Sequence, residues 1–453
     1  MGPEQQTISP IRKNDRHGRA RDLFTIWFGT NLMLLTVVTG ALAVTVFRLP
    51  LIWAILSLTV GNLVGGVFMA LHAAQGPTLG VPQMVQTRGQ FGSVGALLVI
   101  GVVVVMYMGF FASNLVLGAE TLRTVAPHLP ELALIVGLGL LSITGTILGY
   151  DLIHACTRFI TYASGAAFAL TLAWIAIGHS LPDDLFSRNI ATIQGVLGAV
   201  SVAALWQIAY APYVSDYSRY LPAETGVRPA FWASYWGSVL GSALPMIVGA
   251  VIGLIDQGHG VIATLGAVTE GIAPLTFTIF SIAMLVNNAM NVYCGALSTL
   301  AAIQTWQPDW NPSWRARATV AIIILLLALC LAILGHDSFL ESYTSFILLL
   351  FYVLIPWTAI NLVDYYLIHH GEYDVASFFR SDGGVYGRFN VPALACYLLG
   401  TLVQLPFVST PLYRGPIARA LGDADLSWLV GLVITSVAYY GLAKRPAVLS
   451  FKG

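Results

Sequence analysis

The chain has 453 residues, 57% of them hydrophobic and 9% charged, where soluble domains carry about 25% charged residues. Lysine plus arginine equals aspartate plus glutamate at 21 each, so the net charge is zero and no basic surface points to nucleic acid. A mean hydropathy of +0.78 and recurring apolar runs near the length of a bilayer crossing rule out a soluble globular domain. They predict an all-α integral membrane protein. Cys156, Cys294, Cys330 and Cys396 lie in or beside apolar runs without ligand spacing. They read as packed thiols, and no metal or cofactor is expected.

Residues 1–22 are polar and basic and run straight into a full-length apolar stretch with no small-residue cleavage site, which predicts an uncleaved cytoplasmic tail. Twelve spans follow, at 24–47, 51–72, 93–119, 131–149, 157–178, 194–215, 230–254, 272–304, 317–335, 342–368, 390–409 and 425–443. Putting the N-terminus in the cytoplasm places 16 of the 21 Lys and Arg in inside loops or tails. The positive-inside rule then holds loop by loop, with both termini cytoplasmic in the plasma (inner) membrane. The stretch 257–270 is too short and interrupted to span and reads as an external hairpin or helix. There is one membrane domain: a tail (1–22), a transport core (23–368), a cytoplasmic loop (369–389), two further helices (390–443) and a tail (444–453).

Two spans look broken. The first holds Gly29, Thr30 and Asn31 early and Thr39-Gly40 later. The sixth holds Pro212, which removes a backbone donor and frees a carbonyl near Ala209, with Gln207, Tyr210 and Tyr213 around it. Solute sites of inverted-repeat transporters lie at such discontinuous helices, and spans one and six are five apart, as a five-plus-five repeat requires. Gly61 and Gly65 in span two and Gly237 and Gly241 in span seven are a faint second echo of it. Span three carries Phe110, Ser113 and Asn114, with Phe110 and Asn114 on one face. Span eight carries Asn287, Asn288 and Asn291 with Tyr293. Asn287 and Asn291 share a helix face, and Asn288 lies about 100° round from Asn287. Buried amides in hydrocarbon need partners, and a cluster of them facing aromatic rings and broken backbone suits the edge of a small heterocyclic solute. An amide carries both donors and an acceptor, so it can match the adjacent donor and acceptor of a base without any charge. Interhelical bonding is the structural alternative.

Four motifs carry a family resemblance: WFGTN at Trp27–Asn31, GPTLGVPQMVQTRGQFG at Gly76–Gly92, SDYSRYLP at Ser215–Pro222 and NNAMNVY at Asn287–Tyr293. The chain resembles the nucleobase–cation symporters of the NCS1 type, in the purine–cytosine permease branch. The resemblance implies a leucine-transporter-type five-plus-five inverted repeat with two extra C-terminal helices. It implies import of a purine or cytosine-like base by cation symport. The base would lie between aromatics on helices three and six, with amides on three and eight at its edge. Matched by motif, these positions are Phe110, Tyr210, Asn114 and Asn287, with Thr30 or Asn31 on helix one; Asn288 and Gln207 join the candidates, and Asn291 is a supporting residue of helix eight. Two departures stand out. Phe110 and Tyr210 occupy positions where the family commonly has Trp, and Met290 replaces the proline of the NNxPN found in fungal members.

Sodium-coupled relatives of this fold bind the ion with helix-one carbonyls and an adjacent hydroxyl pair on helix eight. Here only Ser281 stands near that place, followed by Ile282 and Ala283, so a proton is favoured over sodium as the coupling cation. Glu120, Asp216, Glu270, Glu341 and Asp364 all lie near span ends, and Asp216 beside Arg219 reads as a gate or fold contact. A carrier of allantoin, a hydantoin, uracil, a vitamin-like ring or an amino acid on the same fold is the alternative. An intramembrane enzyme has little support, because the nine histidines lie at span ends or in loops without a metal-binding pattern. The sequence is silent on oligomeric state.

Overall fold

Leu32 and Met33 interrupt the first helical stretch, and the chain turns by 62° between α1 (Ala20–Asn31) and α2 (Leu34–Thr45). This is seen in the computed structural model, which describes residues 7–443 apart from 149, 179–185, 187, 257 and 411–412. Met33 is fully extended, and the Asn31 carbonyl released by the break accepts a hydrogen bond from Thr36 Oγ1 at 2.7 Å. The second weak point expected from sequence, Thr39-Gly40, stays helical: Thr39 Oγ1 meets both Leu35 O and the Tyr343 hydroxyl at 2.7 Å.

Next come α3 (Leu51–Ala73), the short helices α4 (Gly76–Leu79) and α5 (Gln83–Phe91), α6 (Ala96–Val125), α7 (Glu131–Leu148) and α8 (Tyr150–Gly178). The sixth expected span divides into α9 (Ile193–Ile208) and α10 (Val214–Ser218), joined by Ala209, Tyr210 and a 3-10 turn at Ala211–Tyr213. Pro212 cannot donate the bond that would continue α9, and its own carbonyl is within 3.3 Å of the Tyr107 hydroxyl of α6. The remainder comprises α11 (Val227–Ile255), α12 (Val261–Val268), α13 (Ala273–Gln304), α14 (Trp314–Gly335), α15 (Phe339–Val363), α16 (Val391–Gln404), α17 (Pro416–Ala420) and α18 (Ser427–Ala443). Among the described residues seven helices are long and apolar enough to cross a membrane, or eight if α1 and α2 form one span. Shorter apolar helices occupy Glu131–Thr144, Val391–Phe407 and Ser427–Ala443. The stretch read as non-spanning forms α12. Asp256 Oδ1 accepts from the Gly258, His259 and Gly260 amides and the Thr264 hydroxyl, which closes the turn ahead of that helix. The expected tail 444–453 and the first six residues lie outside the described residues.

Glycines let the broken helices sit against their neighbours. A Cβ on Gly61 or Gly65 of α3 would lie 2.4 Å from Val200 O or 2.3 Å from Ala204 O of α9. A Cβ on Gly237 or Gly241 of α11 would lie 2.6 Å from Phe24 O or Phe28 O of α1. Span two thus presses on the broken span six as span seven presses on the broken span one. Among the described residues the tightest approach to backbone is Gly249 of α11, where a Cβ would come within 1.8 Å of Val37 O in α2. Overpacking costs about 1–3 kcal/mol even where neighbours can yield, and here the neighbour is backbone. Gly249→Ala is expected to lower the melting temperature of the purified protein, and Gly249→Val to abolish a monodisperse size-exclusion peak; a wild-type melting curve for Gly249→Val would contradict this packing.

The loops sort into two ends. At one, His17 N bonds Tyr220 O, Arg16 Nη1 bonds Pro77 O, Thr7 Oγ1 bonds Pro312 O, and Arg88 reaches Ala301 O, Gln304 and Phe378 O. At the other, Asn189 bonds Leu49 O and Arg188 bonds Leu254 O. Between them, large apolar side chains such as Val105, Leu141, Phe159, Leu326 and Val437 are exposed, as a lipid-facing belt requires.

Candidate binding site

Where the two broken helices pass α6 and α13, a small cavity of about 10 Å³ is lined by Met33, Phe110, Trp206, Ala209, Tyr210, Tyr213, Asn287 and Asn291. Among the described residues no charged side chain lines it. Space of that size holds about one water, so a ring enters only when the walls part. The break at Leu32–Met33 supplies Met33, the break after Ile208 supplies Ala209, and the last turn of α9 supplies Trp206 with Tyr210 just beyond it.

The aromatic wall is a linked set of rings. Phe110 meets Trp206 edge-on, with centroids 6.2 Å apart at 86°; Trp206 and Tyr210 are 6.1 Å apart, and Tyr210 and Tyr213 5.6 Å. Phe346 of α15 closes over Phe110 at 5.3 Å, in space left open by Gly109. Sequence reasoning paired Phe110 with Tyr210. The structure puts both on the cavity but makes Trp206 the ring that meets Phe110. Trp206 was missed, although it lies four residues before Tyr210 and so shares its helix face.

The amide wall is a hydrogen-bonded cluster. Asn287 Oδ1 accepts from Asn114 Nδ2 and Asn291 Nδ2, each at 3.1 Å, while Asn287 Nδ2 makes a long 3.4 Å contact with Thr30 O, beside the first break. Asn114 Nδ2 also donates to Asn288 Oδ1 at 2.9 Å, and Asn114 Oδ1 is buried without a partner among the described residues. The Asn287 carbonyl is therefore fully used and its N–H groups are the ones left to meet a ligand. Asn291 donates to Asn287 and accepts nothing from the described residues, so its carbonyl adds an acceptor beside those donors. The expected order is altered here: Asn291 lines the cavity, whereas Asn288 and Asn114 stand behind it.

Three other candidates are placed differently from expectation. Thr30 turns its hydroxyl back to Ile26 O at 2.9 Å and offers the site only its carbonyl. Asn31 is a pin rather than a wall: its Oδ1 accepts from Trp206 Nε1 at 2.7 Å, the Tyr210 hydroxyl at 2.9 Å and Ser242 Oγ at 2.8 Å, and its Nδ2 donates to Trp27 O at 2.6 Å. Gln207 points away from the cavity into a polar knot with Asn62, Ser238 and Ser242. Adjacent helix positions are about 100° apart, so Trp206 and Gln207 cannot share a face. Ser281, the candidate for a cation site, is buried with a hydroxyl that has no partner among the described residues, and the neighbouring Ile282 is exposed on the outer surface. Among the described residues no group of three or more His, Cys, Asp or Glu could hold a metal ion.

Residues 10–431 match the family model described as "Permease for cytosine/purines, uracil, thiamine, allantoin". The chain belongs to this family. It is 38% identical over 449 residues to the putative purine-cytosine permease YxlA of Bacillus subtilis, covering 98% of this chain and 96% of that one. It is 23% identical to the purine-cytosine permease fcyB of Emericella nidulans, with 95% and 85% covered. Its fold is that of Mhp1, a nucleobase-cation-symport-1 family transporter. The closed form of Mhp1 with bromovinylhydantoin bound aligns with a TM-score of 0.79 at 17% identity over 97% of this chain and 94% of that one. The inward-facing form gives 0.74 at 18% over 98% and 94%. The protein is thus a multi-pass, all-helical permease of the NCS1 purine–cytosine branch, and not an enzyme.

Proposed function

We propose that this permease imports a purine or cytosine-like nucleobase by proton symport, with the base held between Phe110 and Trp206–Tyr210 and its edge read by Asn287 and Asn291. The observation that carries the reading is the uncharged cavity itself, aromatic on one side and amide on the other, at the crossing of two broken helices. A neutral planar base can stack on the rings and meet adjacent donors and an acceptor, and no fixed charge holds it against release. The name of the B. subtilis relative agrees with this substrate class. Twelve spans in a five-plus-five repeat with two added helices accommodate the described elements, with α14 and α15 as separate spans. The reciprocal pressing of α3 on α9 and α11 on α1 is what the repeat demands. Both termini are assigned to the cytoplasm on the charge distribution of the loops.

Proton coupling is favoured because α13 presents one hydroxyl, Ser281, where sodium needs several oxygens, and Ile282 turns outward. Thermal-shift measurements on the purified protein against nucleobases, nucleosides, hydantoins, allantoin and pyridine vitamins test the substrate. A ligand at 100 times its Kd adds about 2.7 kcal/mol of apparent stability. A purine or cytosine is expected to give the largest shift, and a hydantoin or allantoin ahead of every nucleobase would reject the reading. Uptake into vesicles is expected to persist when sodium is replaced by choline and to fall when the proton gradient is dissipated; collapse on sodium removal at constant pH would reject proton coupling.

A further inference from the structure

Two carboxylates are buried among the described residues, Asp216 and Asp364. Asp364, at the end of α15, is surrounded by donors: the Tyr373 hydroxyl on Oδ2, the Tyr439 hydroxyl on Oδ1 at 2.7 Å and His369 Nδ1 at 3.2 Å. Asp216, on α10, has far less. The Gln83 backbone N–H donates to its Oδ1 at 2.8 Å, and the Cys294 thiol of α13 lies beside it. Arg219 is one turn further on, yet its guanidinium is directed elsewhere. Its Nε bonds the Asp216 backbone carbonyl at 3.3 Å, Nη1 bonds Thr7 O at 2.9 Å, and Nη2 reaches the Tyr220 and Tyr293 hydroxyls at 3.1 and 3.4 Å. No ion pair joins Arg219 to the Asp216 carboxylate among the described residues.

The other titratable neighbours supply no counter-ion. Tyr213 and Tyr217 of the same segment, Tyr107 of α6 and Cys294 of α13 carry a phenol or a thiol, neither of which is ever cationic. His72 of α3 takes Ser215 Oγ on its backbone carbonyl, while its ring turns to Phe68 O and stacks on Trp357. Arg88 of α5 is engaged with Ala301, Gln304 and Phe378. Arg219 acts on this carboxylate through its charge alone, without a hydrogen bond to it, so much of the several kcal/mol that burial of an anion costs is left, and a neutral carboxylic acid avoids most of it. Asp216 also stands one turn beyond Tyr213, a cavity residue, on the short helix that follows the break.

We propose that Asp216 carries the coupling proton. The inference rests on the proton-symport reading above. A bulk proton adds to a carboxylate oxygen while α10 is wetted from one side of the membrane. The cavity closes over the neutral acid, and the same O–H bond gives its proton back to water when the other side opens. No electrons move, and one proton accompanies each neutral base, so each cycle carries one positive charge inward.

The test uses full-length protein in proteoliposomes with radiolabelled cytosine and, in parallel, adenine. Asp216→Asn keeps the shape and the acceptor for the Gln83 amide but cannot titrate. It is expected to keep exchange of internal for external base while losing accumulation driven by a proton gradient. Asp216→Glu, which stays titratable, is expected to keep accumulation with a shifted pH midpoint, and it carries the test if the Asn variant does not fold. Asp364→Asn is expected to keep accumulation. Wild-type accumulation by Asp216→Asn overturns the assignment, as does loss of both exchange and accumulation in the Asn and Glu variants alike while base still stabilises them. A wild-type protein that ignores the proton gradient and responds to sodium alone removes the proton reading itself, an outcome visible before any variant is made.

Discussion

Asn287→Ala is expected to remove measurable uptake of labelled base while leaving a membrane-inserted protein. The side chain does two things at once. It lines the cavity, and its carbonyl holds the amides of Asn114 and Asn291, which leaves its N–H groups for a ligand. A net hydrogen bond to a neutral ligand contributes about 0.5–1.5 kcal/mol, and a buried polar group left without its partner costs about 1–3 kcal/mol. Losing the ligand bonds and leaving two amides short of an acceptor should together exceed about 3 kcal/mol, more than a hundredfold in affinity at 1.4 kcal/mol per tenfold. Asn288→Ala is the informative partner. Asn288 stands behind the wall and touches Asn114, so its loss should weaken binding by about tenfold or less, as one orphaned donor would. Ligand-induced thermal shift on both variants gives the comparison without relying on expression in the uptake assay. A larger loss from Asn288 than from Asn287 would reverse the geometry described here.

The breaks were legible in the sequence because their causes are local: Pro212 has no N–H to give, and a Gly-Thr-Asn run is a weak helix. The amide cluster was legible because polar groups in hydrocarbon must be partnered. What could not be read was azimuth. Gln207 and Trp206 are adjacent, and only the packing of α3 and α11 shows that the amide faces Asn62 and Ser242 while the indole faces the cavity. A chemical expectation misled as well. Tryptophan in an apolar run looks like core, and polarity around a break looks like a site, so the glutamine was favoured over the ring. Asn31 illustrates the same limit. Its amide is as polar as that of Asn287, but Trp206, Tyr210 and Ser242 from two other helices converge on its carbonyl, and that convergence has no local signature. Likewise Asp216 beside Arg219 reads in sequence as a gate or fold contact, whereas the guanidinium is drawn off by the distant Thr7 O and Tyr293 and by the adjacent Tyr220.

Trp206→Ala is expected to cost nearly as much as the loss of Asn287, for a different reason. Stacking of a base on an aromatic ring contributes about 1–3 kcal/mol, roughly 5- to 150-fold in affinity at 1.4 kcal/mol per tenfold. Trp206 is also the ring that meets Phe110, and it ties α9 to the end of α1 through its N–H to Asn31. Removing it therefore enlarges the cavity and loosens the link between the two broken helices together. Trp206→Phe separates these roles, since it keeps a stacking face and loses only the indole donor. Its affinity should fall less than that of the Ala variant, by about the tenfold or less that one hydrogen bond contributes. Tyr210, whose hydroxyl is held by the same Asn31 carbonyl, should then tolerate Tyr210→Phe better than Tyr210→Ala. Equal affinities for Trp206→Phe and Trp206→Ala, measured by ligand titration of the purified variants, would mean that the indole acts through Asn31 alone and that the base stacks elsewhere.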